Sequence, residues 1–147
     1  MTQTLRKDDR AALLHFLTAQ RTAALAVLEG LSEADAGRSI VPSGWTPLSM
    51  TVHLGDVERH WFAFVLGGDA AHTPAEPIDP RTLAAAVHAY RAEIRRSDRL
   101  LSAFELDDPV MVTPDELPGE IHTVRDVLLH VIEEVARHAG HLDIARE

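Results

Sequence analysis

Apolar residues recur at helical spacing in four long stretches of the chain. In the first, from about Asp8 to Leu31, they are Leu13, Phe16, Leu17, Ala24, Leu25, Leu28 and Leu31. Asp8 or Asp9 stands where an N-cap is wanted, and Gly30 lies near the end. A short helical turn is expected at Ser32-Glu33-Ala34-Asp35, which has the capping-box form S-x-x-D. The second stretch opens on Thr46 and Pro47, an N-cap followed by a residue whose φ already suits the first helical position. It runs to about Leu66, before Gly67-Gly68. The third is expected from the pair Asp79-Pro80 to about Phe104, with Leu83, Val87, Tyr90, Ile94, Leu100 and Leu101 in phase. The fourth opens at Thr123, where T-x-x-D again resembles a capping box, and continues nearly to the C-terminus. Val110-Met111-Val112 is a strand-like run too short to support a sheet. The pattern predicts an all-α protein, one four-helix up-and-down bundle over residues 1–147.

Composition narrows the function. Hydrophobic residues make up 46% of the 147, enough for a genuine core. The net charge is −9, from Lys+Arg 14 against Asp+Glu 23, and no basic cluster offers phosphates a landing site, so no nucleic acid is expected as a partner. There is no cysteine, which excludes disulfides and thiolate ligands. The N-terminal MTQTLRKDDRAALL lacks a signal-peptide apolar core. No run was expected to reach the ~18 apolar residues of a membrane span. A soluble cytoplasmic protein with no membrane contact is the expectation.

The chemistry is suggested by polar residues on apolar faces. On a helical wheel at about 100° per residue, Glu134 shares a face with Val127, Val131, Val135, His138, His141, Leu142 and Ala145. A carboxylate and two imidazoles there need partners, because an unpaired buried charge is costly. The i,i+4 spacing brings Glu134 and His138 side by side, the arrangement by which helices present metal ligands. A metal-free Glu–His or Glu–Arg pair would satisfy the same spacing. On the second helix His53 lies among Met50, Val57, Trp61 and Phe64, with His60 at i+7. Two helices each presenting a ligand-type residue inward leave a metal and a metal-free pair equally open on spacing alone. His53 lies about 10 Å into its helix and His138 about 22 Å into the fourth. An up-and-down order then needs a lengthwise offset, whereas a Gly67–Pro80 loop crossing the bundle, with a reach of ~40 Å, would not.

Pro42-Ser43-Gly44-Trp45-Thr46-Pro47 through His53-Leu54, Val57-Glu58-Arg59 and Trp61-Phe62, together with Glu133-Glu134-Val135-Ala136-Arg137-His138-Ala139-Gly140-His141 through Arg146-Glu147, resemble the second and last helices of the DinB/YfiT-like superfamily. Within it the chain is most similar to a single-domain actinobacterial branch related to the metal-binding domain of mycothiol-dependent maleylpyruvate isomerases. The resemblance implies a divalent metal (zinc first, nickel or iron next) on His53, Glu134 and His138. His141 stays open as a replacement for Glu134. It also implies a low-molecular-weight thiol as cosubstrate and a small-molecule substrate, in a thiol-dependent S-transferase or isomerase whose metal activates a thiol or water. His141 or His60 would serve as proton shuttle. Those isomerases carry a further C-terminal domain, so their own reaction is not the one expected. The other reading is a stress-associated binding or structural bundle, with a bracing metal or none.

Remaining expectations concern the surface. Phe62 falls roughly opposite His53 on the wheel, and an aromatic left outside suggests a helix-mediated homodimer. His15, His72, His88 and His122 are expected on the surface or in loops, and Arg95, Arg96 and Arg99 on a solvated face.

Overall fold

The protein is described by a computed structural model over residues 2–75, 81–115 and 119–147, with backbone alone for 2–8. The helices are α1 (Thr2–Leu28), the short α2 (Glu33–Ala36), α3 (Pro47–Glu58, continuing as a π-helix over Arg59–Leu66), α4 (Leu83–Leu101) and α5 (Val124–Arg146). Their starts follow the local chemistry. Thr46 and Thr123 close reciprocal capping boxes with Ser49 and Asp126, and the Ser32 hydroxyl accepts from the Asp35 amide. α1 begins earlier than expected, so Asp9 is inside the helix and faces Arg125 at 3.3 Å instead of capping. The anticipated Asp79-Pro80 start lies outside the described residues; Thr82 caps α4, and Glu33 of α2 accepts from the Leu83 amide at 2.8 Å. Among the described residues the strand-like run forms no strand; just before it, Pro109 makes an isolated antiparallel bridge with Thr123. The Met111 and Val112 amides both reach the Val65 carbonyl at 3.0 Å.

The all-α four-helix bundle is as the pattern predicts, but the helix directions are not those of an up-and-down order. α1 and α5 run parallel: Asp9 meets Arg125 near their starts, and Arg146 donates to the Glu29 carbonyl at 2.6 Å near their ends. α3 and α4 also run parallel, since Gly55 lies against Tyr90 and Gly67 against Leu100. α3 and α5 are antiparallel, with His53 beside His138 and Trp61 beside His130. The order is therefore up-down-down-up. The connection from α3 to α4 carries the chain back: Asp69 pairs with Arg96 at 2.7 Å, and further on the Ala75 amide donates to Glu93 at 2.8 Å. No lengthwise offset is then needed, because an early residue of α3 naturally faces a late one of α5.

The π-helix corrects the aromatic expectation. Bonds from i to i+5 widen each turn, so rotation per residue falls below the α-helical ~100°. Phe62 therefore stops short of the outer face and is 1% exposed, with the Arg21 guanidinium 5.7 Å from its ring centroid. Phe62 is therefore not the exposed aromatic on which a homodimer was expected.

Stretch Asp9–Leu28 of α1 is long and apolar enough to cross a membrane, contrary to the sequence expectation. In the bundle it is a packing helix, with Leu17, Ala24 and Leu28 in the core. Arg21 on that inner face is 3% exposed and grips the fully buried Glu58 of α3 bidentately, at 2.7 and 2.6 Å, while its other nitrogen reaches Asp98 of α4 at 2.8 Å. That fork clamps three helices together.

Candidate metal centre

Glu134 and His138 sit on adjacent turns of α5, and the antiparallel crossing brings His53 of α3 against them. His53 Nε2 lies 3.2 Å from His138 Nε2 and 3.7 Å from Glu134 Oε1, and His138 Nε2 is 3.0 Å from Glu134 Oε1. Three donor atoms converge on one point. Ligands about 2.0–2.2 Å from a tetrahedral ion would stand about 3.3–3.6 Å apart, so the spacing suits one ion with little movement. Two imidazole nitrogens and a carboxylate oxygen are a donor set suited to zinc, nickel or iron. Their lone pairs repel when aimed together, which a cation or a shared proton relieves. The residues present therefore fit a divalent metal.

The site lies at the rim of the core rather than in its middle. The side chain of His53 is 48% exposed, against 19% for Glu134 and 13% for His138. The buried stripe of α5 runs through Val124, Val127, Leu128, Val131, Val135 and Leu142. On the wheel, Glu134 stands roughly 90° from its centre. The site opens toward solvent at His53, its most exposed member.

Electrostatics favour the ligand forms. Burial holds the His138 pKa below the ordinary histidine value, aided by nearby His53 and His141 and opposed by Glu134, so the ring is neutral at neutral pH. Burial pushes the Glu134 carboxyl up, but the hydrogen bond and charge of His138, then Arg137 and His130, outweigh it and hold it below its ordinary value.

Around the triad lie groups that orient it. His141 Nδ1 is 3.2 Å from His138 Nδ1, behind the ring, and Trp45 packs on His141 with centroids 5.8 Å apart. Arg137 Nη1 donates to Glu134 Oε2 at 3.3 Å and Nη2 to Glu133 at 2.6 Å, leaving Oε1 for the histidines. His130, not singled out from the sequence, packs against Trp61 with ring centroids 4.3 Å apart. Its position four residues before Glu134 was the available signal, as i+3 was for Arg137. His60 lies about 10 Å along α3 from His53, where its ring packs against Phe64 and His72 at 5.5 and 6.0 Å. The structure does not bring it to the triad. His15, His72, His88 and His122 are exposed, His72 in a left-handed conformation (φ 49°) with its ring on Phe64.

A family model described as Mycothiol-S-transferase matches residues 12–147, nearly the whole chain. No curated protein matches the chain.

Proposed function

The chain belongs to the Mycothiol-S-transferase family, a DinB/YfiT-like family, and we propose that it is a divalent-metal-dependent S-transferase using a low-molecular-weight thiol of the mycothiol type. The observation that carries the reading is the convergence of His53 Nε2, His138 Nε2 and Glu134 Oε1 on one point at a solvent-facing rim. His53, His138 and Glu134 would hold the ion, which would lower the pKa of a thiol and so supply a thiolate near neutral pH. The protein has no cysteine, so the sulfur nucleophile comes from the cosubstrate.

The side chains prepare this chemistry. His53 and His138 supply neutral nitrogen donors, and Glu134 one charge. Arg137 holds Glu134 Oε2, so that the carboxylate presents Oε1. His141 fixes the ring plane and tautomer of His138 through its far nitrogen, the usual role of a group behind a ligating imidazole. In the alternative role, as acceptor of the thiol proton, His141 would give up that hydrogen bond. In the transfer, the S–H proton passes to a base, the sulfur forms a bond to an electrophilic carbon, and the leaving group departs with the bonding pair. His60, remote from the triad, takes no part in this scheme. The exposure of His53 keeps a way open for the thiol and electrophile, and a cytoplasmic thiol pool is the setting this implies.

The test is elemental analysis of protein purified without added metal, repeated after dialysis against a strong chelator. About one zinc, nickel or iron per chain is expected, lost in His138→Ala, with transfer of mycothiol to an electrophile lost and regained with the ion. Absence of stoichiometric metal would sink the proposal. A site closed by a fourth protein ligand would make the ion a structural brace instead.

A further inference from the structure

Away from the triad, between α3 and α4, three buried polar atoms have no hydrogen-bond partner among the described residues: Arg59 Nη1, the Tyr90 hydroxyl and Glu93 Oε2. All three residues line one small cavity, closed further by Thr51, Gly55 and Ala86. Direct pairing does not satisfy them. Arg59 Nη1 stands 3.6 Å from Glu93 Oε1 and Arg96 Nη1 3.9 Å from Oε2, both beyond hydrogen-bond distance. Glu93 Oε1 accepts from the Ala75 amide at 2.8 Å, and the Thr51 hydroxyl donates to the Pro47 carbonyl at 2.8 Å. Tyr90 is fully buried, and burial keeps its phenol protonated, hence a donor.

The cavity has about 10 Å³ of space for a water centre, room for a single molecule. We infer that it is an internal water site, in which one water accepts from Arg59 Nη1 and from the Tyr90 hydroxyl and donates to Glu93 Oε2. Three bonds to otherwise unsatisfied groups are what a buried structural water typically makes. Two donors and one acceptor also match what a water can offer, leaving one proton for the open side. The bridge ties α3 to α4 where Gly55 packs against Tyr90, a Cβ there lying in ordinary contact 3.8 Å from the Tyr90 Cα. It braces the segment of α3 that carries His53.

A crystal structure of the full chain at better than about 2 Å should show a solvent peak within about 3.2 Å of all three atoms. An empty cavity, or Arg59 closed directly onto Glu93, would overturn the inference. Tyr90→Phe supplies a second readout whose sign decides. With the water present, removing the hydroxyl leaves the water short of one partner and lowers Tm by a few degrees. With the cavity dry, the same change deletes an unsatisfied buried hydroxyl and raises Tm, which contradicts the site. The ring is retained, so the variant folds in either case.

Discussion

Glu58→Gln should be strongly destabilising. The carboxylate is fully buried, 0% exposed, and accepts two hydrogen bonds from Arg21 at 2.7 and 2.6 Å. The amide keeps the shape and one acceptor oxygen but turns the other position into a donor facing the guanidinium. Arg21, itself 3% exposed, is then left with Asp98, whose side chain is 58% exposed and a poor screen for a buried cation. Breaking one side of a buried pair costs about 3–5 kcal/mol, a large fraction of the ~5–15 kcal/mol that holds a domain together. Urea unfolding followed by helical circular dichroism at pH 7 measures it. With a slope of about 1–3 kcal/mol/M, the midpoint should fall by roughly 1–5 M with the slope unchanged. Arg21→Met combined with Glu58→Leu should recover most of the loss, because removing both charges also removes their desolvation penalty. A loss under about 1 kcal/mol in Glu58→Gln, or a double variant as unstable as the single one, would refute the reasoning.

Three further outcomes follow from the same geometry. His141→Ala removes the group behind His138 and should weaken metal affinity about 10–100-fold without destroying the site, read by competition with a chromophoric chelator; undiminished affinity would place His141 outside the centre. Phe62→Ala should lose about 3–5 kcal/mol in the same urea assay, the cost of an emptied core position; a loss typical of a surface residue would contradict the π-helical phase. Partial burial pushes the Asp126 carboxyl up, but hydrogen bonds from the Thr123 hydroxyl and the His122 and Thr123 amides hold it below its ordinary value. Its contribution is therefore complete above the unfolded carboxylate value and disappears as pH falls through the lowered folded one. Asp126→Asn should cost about 1 kcal/mol at pH 7, and melting curves of the two proteins should converge below about pH 4; a gap constant down to pH 3 would be inconsistent with this.

The sequence carried whatever depends on neighbours a few residues away. Thr46-Pro47 and Thr123 with Asp126 mark helix starts because a cap is satisfied within one turn, and apolar periodicity marks the helices because one face of each must be buried. The i,i+4 pairing of Glu134 and His138 is local in the same sense, and the resemblance of the two motif-bearing helices named His53 as their counterpart. What depends on distant segments needed the folded chain. Helix direction turns on the return of the α3–α4 connection along α4, made by Asp69–Arg96 and Ala75–Glu93, pairings no local rule specifies. That direction sets His53 against His138 with no offset and carries His60 away from both. Phe62 turns inward because packing against α1 and α4 tolerates a π-helix that a uniform wheel does not anticipate. Arg21 and Glu58 stand 37 residues apart, and nothing local in the sequence pairs them. Only a core shared by three helices makes a buried fork of them, because a charge can leave water only where its partner is already in place.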